Sequence, residues 1–199
     1  MDNLWLRKIA ENPGHSRWYI ERFRDMAASG ADLAGEARMI DAVLPRAARV
    51  LDAGCGTGRV GGHLVAAGHE VIGVDLDPEL IAVARADHPG GTWLVGDLSE
   101  LDLPAAGIPA GFDVIVCAGN VMTFVAPATR GEILRRFRGH LGERGRVVAG
   151  FAAGRGYPHD EFLAAAAAAG LTPEVLLSTW DLRPYAPGAE FLVALLAAA

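Results

Sequence analysis

Short apolar runs alternate with stretches of helical periodicity through the middle of the chain. "RVLDAG" (49–54) has the unbroken apolar character of a strand buried on both faces, and "EVIGVDLD" (70–77), "TWLVGDL" (92–98), "FDVIVCAGN" (112–120) and "GRVVAGF" (145–151) repeat it. Helical patterns fill the gaps. "GRVGGHLVAAG" ends at Gly68, "PELIAVARADH" begins with Pro78 in a first turn, and "TRGEILRRFRGHL" spaces Ile133, Phe137 and Leu141 at i, i+4 and i+8. This strand–helix rhythm over 47–151 predicts a parallel sheet with helices on both faces.

The two ends of the chain break the rhythm differently. Residues 1–46 read as helices: one around Leu4–Ala10, a second after the Pro13-Gly14 break, and a third over Leu33–Leu44 that stops before Pro45. In the second, Tyr19, Phe23 and Met26 share a face and Ser16 is the expected cap. At the other end a helix near Asp160–Ala169, closed by Gly170, precedes "PEVLLSTWDL" and "EFLVALL". No helix fits in "RPYAPGA" between these two runs, so they are expected to pair antiparallel.

Composition bounds the function. The 199 residues suit one domain with a sizeable core. A net charge of −6 argues against nucleic acid or an anionic membrane as partner. Lys8 is the only lysine among many arginines, a compositional bias and not arginine chemistry. Cys55 and Cys117 have neither zinc-site spacing nor a disulfide framework, so no metal is expected and a reducing cytoplasm is the simplest setting. The first residues, with an acid at position 2, lack the apolar core of a signal peptide, and no run is long enough to span a membrane.

The chemistry centres on "VLDAGCGTGRVGGHL" (50–64). A strand entering a glycine-rich turn and then a helix presents backbone N–H groups to a ligand. A G-x-G-x-x-G, Gly56 to Gly61, is compatible with a dinucleotide, and Asp75 at the end of the second strand suits the ribose of either a nicotinamide or another nucleoside cofactor. Three features separate the two. Asp52 lies two residues before Gly54, where a carboxylate is unfavourable beside a pyrophosphate and acceptable beside an ammonium group. "GDL" (96–98) places an acid where it can meet an adenine amino group. The last two strands resemble a hairpin and not a second βαβ half.

As a set, "VLDAGCGTG … VIGVDLDPELIAVAR … VGDL … FDVIVCAGNV … RVVAGF" resembles the class I S-adenosylmethionine-dependent methyltransferases over about 47–199. The resemblance implies a Rossmann-like α/β fold, a seven-stranded sheet of order 3-2-1-4-5-7-6 with strand 7 antiparallel, under an N-terminal helical lid (1–46). It implies S-adenosylmethionine as cofactor and S-adenosylhomocysteine as product. Gly54, Cys55 and Gly56 would approach the methionine moiety through their backbones, and Asp52 would place the loop and meet the ammonium. Asp75 would hold the ribose, with Leu76 on the adenine, Asp97 at its amino group, Leu98 offering a backbone N–H, and Ala118 near the transferred methyl. Asp77, before Pro78, reads as a helix cap.

The acceptor side is less marked. "GHSRWYIERFR" (14–24) has the aromatic and arginine content of a lid over a small molecule, with His15, Trp18 and Tyr19 as candidate contacts. Arg22 or Arg24 could reach a carboxylate, although both also suit a solvated helix face. "CAGNVMTF" resembles the segment after strand four of small-molecule N-methyltransferases, which puts Asn120 and Phe124 at the acceptor, and His15 or Tyr19 would serve if a base is needed. The expectation is methyl transfer to an O or N of a small molecule, by alignment and without metal or thiol. A homodimer is compatible with it. A nicotinamide oxidoreductase, a non-catalytic binder of the same cofactor, and aminopropyl transfer remain as alternatives.

Overall fold

A computed structural model describes residues 3–199; Met1 and the acid at position 2 lie outside it. The seven strands, β1 (Arg49–Ala53), β2 (Glu70–Asp75), β3 (Thr92–Val95), β4 (Phe112–Cys117), β5 (Leu141–Ala152), β6 (Leu171–Leu177) and β7 (Phe191–Ala198), form one sheet of order β3-β2-β1-β4-β5-β7-β6. The first five run parallel; β7 pairs antiparallel with both β5 and β6. The sheet is thus the one that the resemblance implied. β5 starts earlier than its apolar run, because Leu141 already pairs with Phe112 before a register break lets Arg146 pair with Val114.

Side chains alternate across the strands and feed two cores. Leu51, Ile115, Cys117, Ala149 and Leu192 face α7 (Arg130–His140) and α8 (His159–Ala168), where Phe137 and Phe162 are fully buried. Val50, Val71, Val114, Val116 and Val193 face the opposite layer, α3 (Gly35–Val43), α4 (Arg59–Ala66) and α5 (Pro78–Asp87). Ala37, Met39 and Ile40 of α3 are buried in this layer. Of the three helices expected over 1–46, α3 therefore belongs to the core, and only α1 (Leu4–Glu11) and α2 (His15–Ala28) lie over the strand ends. A short helix, α6 (Val121–Phe124), follows β4 where no element was expected.

Local chemistry sets the helix starts. Asn3 caps α1 by accepting from the Trp5 and Leu6 N–H groups, and Asp77 caps α5 ahead of Pro78. Ser16 does not cap α2, contrary to expectation. The helix opens at Gly14 and the serine lies inside its first turn, its side chain committed elsewhere.

Two glycines and one acid bring α4 onto the sheet. A Cβ on Gly61 would fall 2.8 Å from both Asp52 Oδ2 and Trp93, so this third glycine of the G-x-G-x-x-G is required by packing. A Cβ on Gly73 would fall 2.2 Å from the Trp93 ring. The carboxylate of Asp52, 2 % exposed, accepts the Gly61 N–H at 2.8 Å and ties the start of α4 to β1. Burial pushes the Asp52 carboxyl up to about 7, opposed in part by that N–H.

Gly73→Ala is expected to displace Trp93 and cost about 1–3 kcal/mol, read by chemical denaturation; an unchanged midpoint would contradict this packing. The unfolded chain ionises Asp52 near pH ~4. Between about pH 4 and 7 the folded state keeps a proton that the unfolded state has lost, so this group's contribution to stability falls as pH rises through that window. Asp52→Asn, which keeps an acceptor for Gly61, is expected to flatten the decline of the melting midpoint over that range. A variant with the wild-type slope would remove Asp52 as its source.

Candidate functional site

The parallel strands end on one side of the sheet, and a cavity of about 570 Å³ opens there. Strand order reverses at this point, with β1 between β2 and β4, which is where open α/β sheets bind ligands. Gly54 after β1, Asp75 and Leu76 at the end of β2, Gly96 to Leu98 after β3, and Gly119 to Val121 after β4 line its floor. Trp5 and Lys8 of α1 and His15, Trp18, Tyr19 and Arg22 of α2 line its roof.

Asp75 is held from two sides. Its Oδ2 accepts the Gly56 N–H and its Oδ1 the Asp77 N–H, both at 2.9 Å. A carboxylate oxygen has two acceptor directions, so each oxygen keeps one for a further donor. Burial raises the Asp75 carboxyl, and the N–H groups of Asp77 and Gly56 oppose that shift. The glycine turn beside it is tight by necessity. Gly54 has φ +79°, and a Cβ there would fall 2.4 Å from Val121 Cγ2. Leu76, Leu80 and Leu98 give the neighbouring wall an apolar surface. Asp97 caps the short 3-10 turn after β3 through Oδ1, which accepts the Ser99 N–H and hydroxyl, and among the described residues its other oxygen makes no such bond.

The roof is a run of touching rings. Trp5 packs against His15, Tyr19 and Phe124 at centroid distances of 4.9, 5.3 and 5.9 Å, and His15 stacks on Trp18 at 5.4 Å. Trp18 is half exposed at the mouth. Burial pushes the Tyr19 phenol up to about 12, so at neutral pH the hydroxyl keeps its proton. Burial and the charge of Lys8 lower the His15 pKa, partly offset by Asp77. A neutral imidazole that can accept a proton results.

Ten of the residues singled out in the sequence line this cavity: His15, Trp18, Tyr19, Gly54, Asp75, Leu76, Asp97, Leu98, Asn120 and Phe124. Four do not. The Asp52 carboxylate points to Gly61, which serves loop placement and leaves the expected ammonium contact without support. The Cys55 thiol packs against Gly73, and burial raises its pKa well above the ordinary value. Gly56 acts through its N–H on Asp75, with the Tyr19 phenol above it, and Ala118 is buried in the core. Asn120 lines the cavity, but its Oδ1 accepts the Ala152 N–H at 2.8 Å, joining the ends of β4 and β5, so the side chain is already held by the sheet.

Sequence reading missed Trp5, Lys8, Arg59 and Arg155 in the lining. Arg59 follows the third glycine of the turn and is already engaged, with Glu36 at 2.7 and 2.8 Å and the Leu33 carbonyl at 2.6 Å. Of the two candidate arginines on α2, Arg22 lines the cavity, whereas Arg24 faces Asp87 at 3.7 Å.

Residues 50–145 match the family described as "methyltransferase domain". A TehB-like SAM-dependent methyltransferase from Corynebacterium glutamicum is 48% identical, with 94% of this chain and 100% of that one covered and a TM-score of 0.90. An amino pentose methyltransferase from Micromonospora echinaspora, solved with S-adenosylmethionine bound, shares the fold at 21% identity, over 89% of this chain and 95% of that one, with a TM-score of 0.68. A malonyl-[acyl-carrier protein] O-methyltransferase from Pectobacterium atrosepticum is 32% identical over 104 residues, 51% of this chain and 39% of its own length. The chain spans less than half the length of such curated relatives. With a relative this similar along its whole length and a sheet of the matching order, the chain belongs to the class I S-adenosylmethionine-dependent methyltransferases.

Proposed function

We propose that the protein transfers the methyl group of S-adenosylmethionine to an oxygen or nitrogen of a small molecule, in the cavity beneath α1 and α2. The observation that carries this reading is Asp75, fixed by two backbone N–H groups with an acceptor direction open on each oxygen, as two ribose hydroxyls require. Leu76 and Leu98 supply apolar contact for the adenine, and Asp97 has an oxygen left for its amino group. The turn at Gly54 brings backbone close to the methionine moiety, and Arg22, lining the same cavity, is a candidate for its carboxylate.

The sulfonium supplies an already activated methyl, so the chain's task is alignment. When bound, it would give that methyl to an acceptor held in line behind it, with Asp75 at the ribose and Leu76 and Leu98 at the adenine. Trp18, Phe124 and Asn120 line the cavity and are our candidates for holding the acceptor, and His15, whose pKa is lowered, is our candidate for taking the proton. Tyr19, a neutral donor over Gly56, orients rather than deprotonates. The aromatic roof covers part of the cavity, and alignment of two reactants can contribute up to about 7–11 kcal/mol of barrier reduction. α1 and α2 act as the lid; α3, buried in the core, does not. The nicotinamide alternative finds no support: the sheet closes with the antiparallel β6–β7 pair, and Gly61 answers to packing against Asp52 and Trp93.

In a calorimetric titration S-adenosylmethionine and S-adenosylhomocysteine are expected to bind and NAD not. Asp75→Ala is expected to weaken both by about 1.5–3 kcal/mol. Labelled S-adenosylmethionine incubated with a pool of small amines, phenols and acids is expected to release S-adenosylhomocysteine. Binding without any release would make the protein a binder and not an enzyme, and unchanged affinity in Asp75→Ala would remove the ribose from this carboxylate.

A further inference from the structure

Asp77 touches more of the structure than its place at the start of α5 requires. The residue is 2 % exposed. Its Oδ1 does the work of a cap, accepting the Glu79 N–H at 2.9 Å and the Leu80 N–H at 3.4 Å. Its Oδ2 accepts two donors from the lid, the Trp5 indole N–H of α1 at 2.9 Å and the Ser16 hydroxyl of α2 at 2.5 Å. Its own backbone N–H donates to Asp75 Oδ1.

Each lid donor has no local reason to be there. Ser16 is 3 % exposed and sits within the first turn of α2, where a serine contributes nothing to its own helix. It does not line the cavity. Trp5 is 72 positions from Asp77 in sequence, and its indole placement decides where its ring meets His15, Tyr19 and Phe124. One carboxylate oxygen therefore fixes both lid helices, and the same residue's amide fixes one oxygen of Asp75. Four donors, two from α5 and one from each lid helix, thus converge on one side chain.

We propose that Asp77 is a positioning residue that couples cofactor binding to lid closure: it holds α1 and α2 over the cavity through Trp5 and Ser16 while orienting Asp75 through its N–H. The inference rests on the reading that Asp75 holds the ribose. Closing the lid thereby assembles the aromatic roof over the acceptor only where the ribose acid is in register. Opening it releases Trp5 and, with it, the wall that Trp5 shares with His15, Tyr19 and Phe124.

Two variants separate this role from capping. Asp77→Asn keeps a good cap for α5 and replaces Oδ2 with an amide nitrogen that cannot accept from Trp5. Ser16→Ala leaves Asp77 and the cap untouched and removes one lid bond, and Ser16→Thr restores the hydroxyl. The expected results are faster hydrogen exchange over residues 4–28 of the ligand-free protein in both disruptive variants and an S-adenosylhomocysteine Kd raised about 5- to 50-fold, with recovery of both in Ser16→Thr. Unchanged affinity in a folded Ser16→Ala, with or without faster exchange, overturns the coupling. Failure of the wild-type protein to bind S-adenosylhomocysteine overturns the underlying reading of the cavity instead, and the exchange comparison tells the two apart.

Discussion

The organising interaction is the pair of backbone hydrogen bonds on the carboxylate of Asp75. One comes from Gly56 in the glycine turn after β1, the other from Asp77 at the start of α5. They bring the ends of two adjacent parallel strands to a common point and leave acceptor capacity facing the cavity. The turn can reach that carboxylate because Gly54 and Gly56 both take positive φ, and because nothing but hydrogen stands between Gly54 and Val121. A side chain at Gly54 would separate the ends of β1 and β4, and the crevice between them would lose its shape.

A second constraint lies behind the turn. Trp93 spreads across Gly58, Gly61 and Gly73, each too crowded for a Cβ, and Asp52 binds the N–H of Gly61. The glycines of this region thus divide by task. Gly54 and Gly56 shape the ligand side, while Gly61 and Gly73 let a tryptophan and a helix settle on the sheet. A ligand-side motif and a packing motif overlap in one stretch of sequence. This is why Gly56 to Gly61 resembles a dinucleotide fingerprint without needing a pyrophosphate to explain it.

Much of this was legible beforehand because it is local. Apolar runs mark the five parallel strands, Pro78 marks the start of α5, and the loop "RPYAPGA" forces β6 and β7 to pair antiparallel. That Asp75, Leu76, Asp97 and Leu98 meet at one cavity was readable because they follow the ends of neighbouring strands at a switch point. What escaped is non-local. Ser16 has the sequence appearance of a cap, yet its hydroxyl crosses to a residue 61 positions away. Asn120 reads as a ligand residue, yet its side-chain oxygen joins β4 to β5. The early start of β5 was hidden because Leu141 continues the helical spacing of Ile133 and Phe137, and α3 looks like part of the lid until Ala37, Met39 and Ile40 are seen packed in the core. Trp5 gave no signal at all, since its role depends on Asp77 and on the rings of α2.

The most direct measurement is a crystal structure of the complex with S-adenosylhomocysteine. The account predicts both ribose hydroxyls on the carboxylate of Asp75, the adenine between Leu76 and Leu98, and the sulfur facing the space enclosed by Tyr19, Phe124 and Asn120. An adenosyl group bound anywhere else, or a crevice that stays empty at saturating concentration, would contradict it.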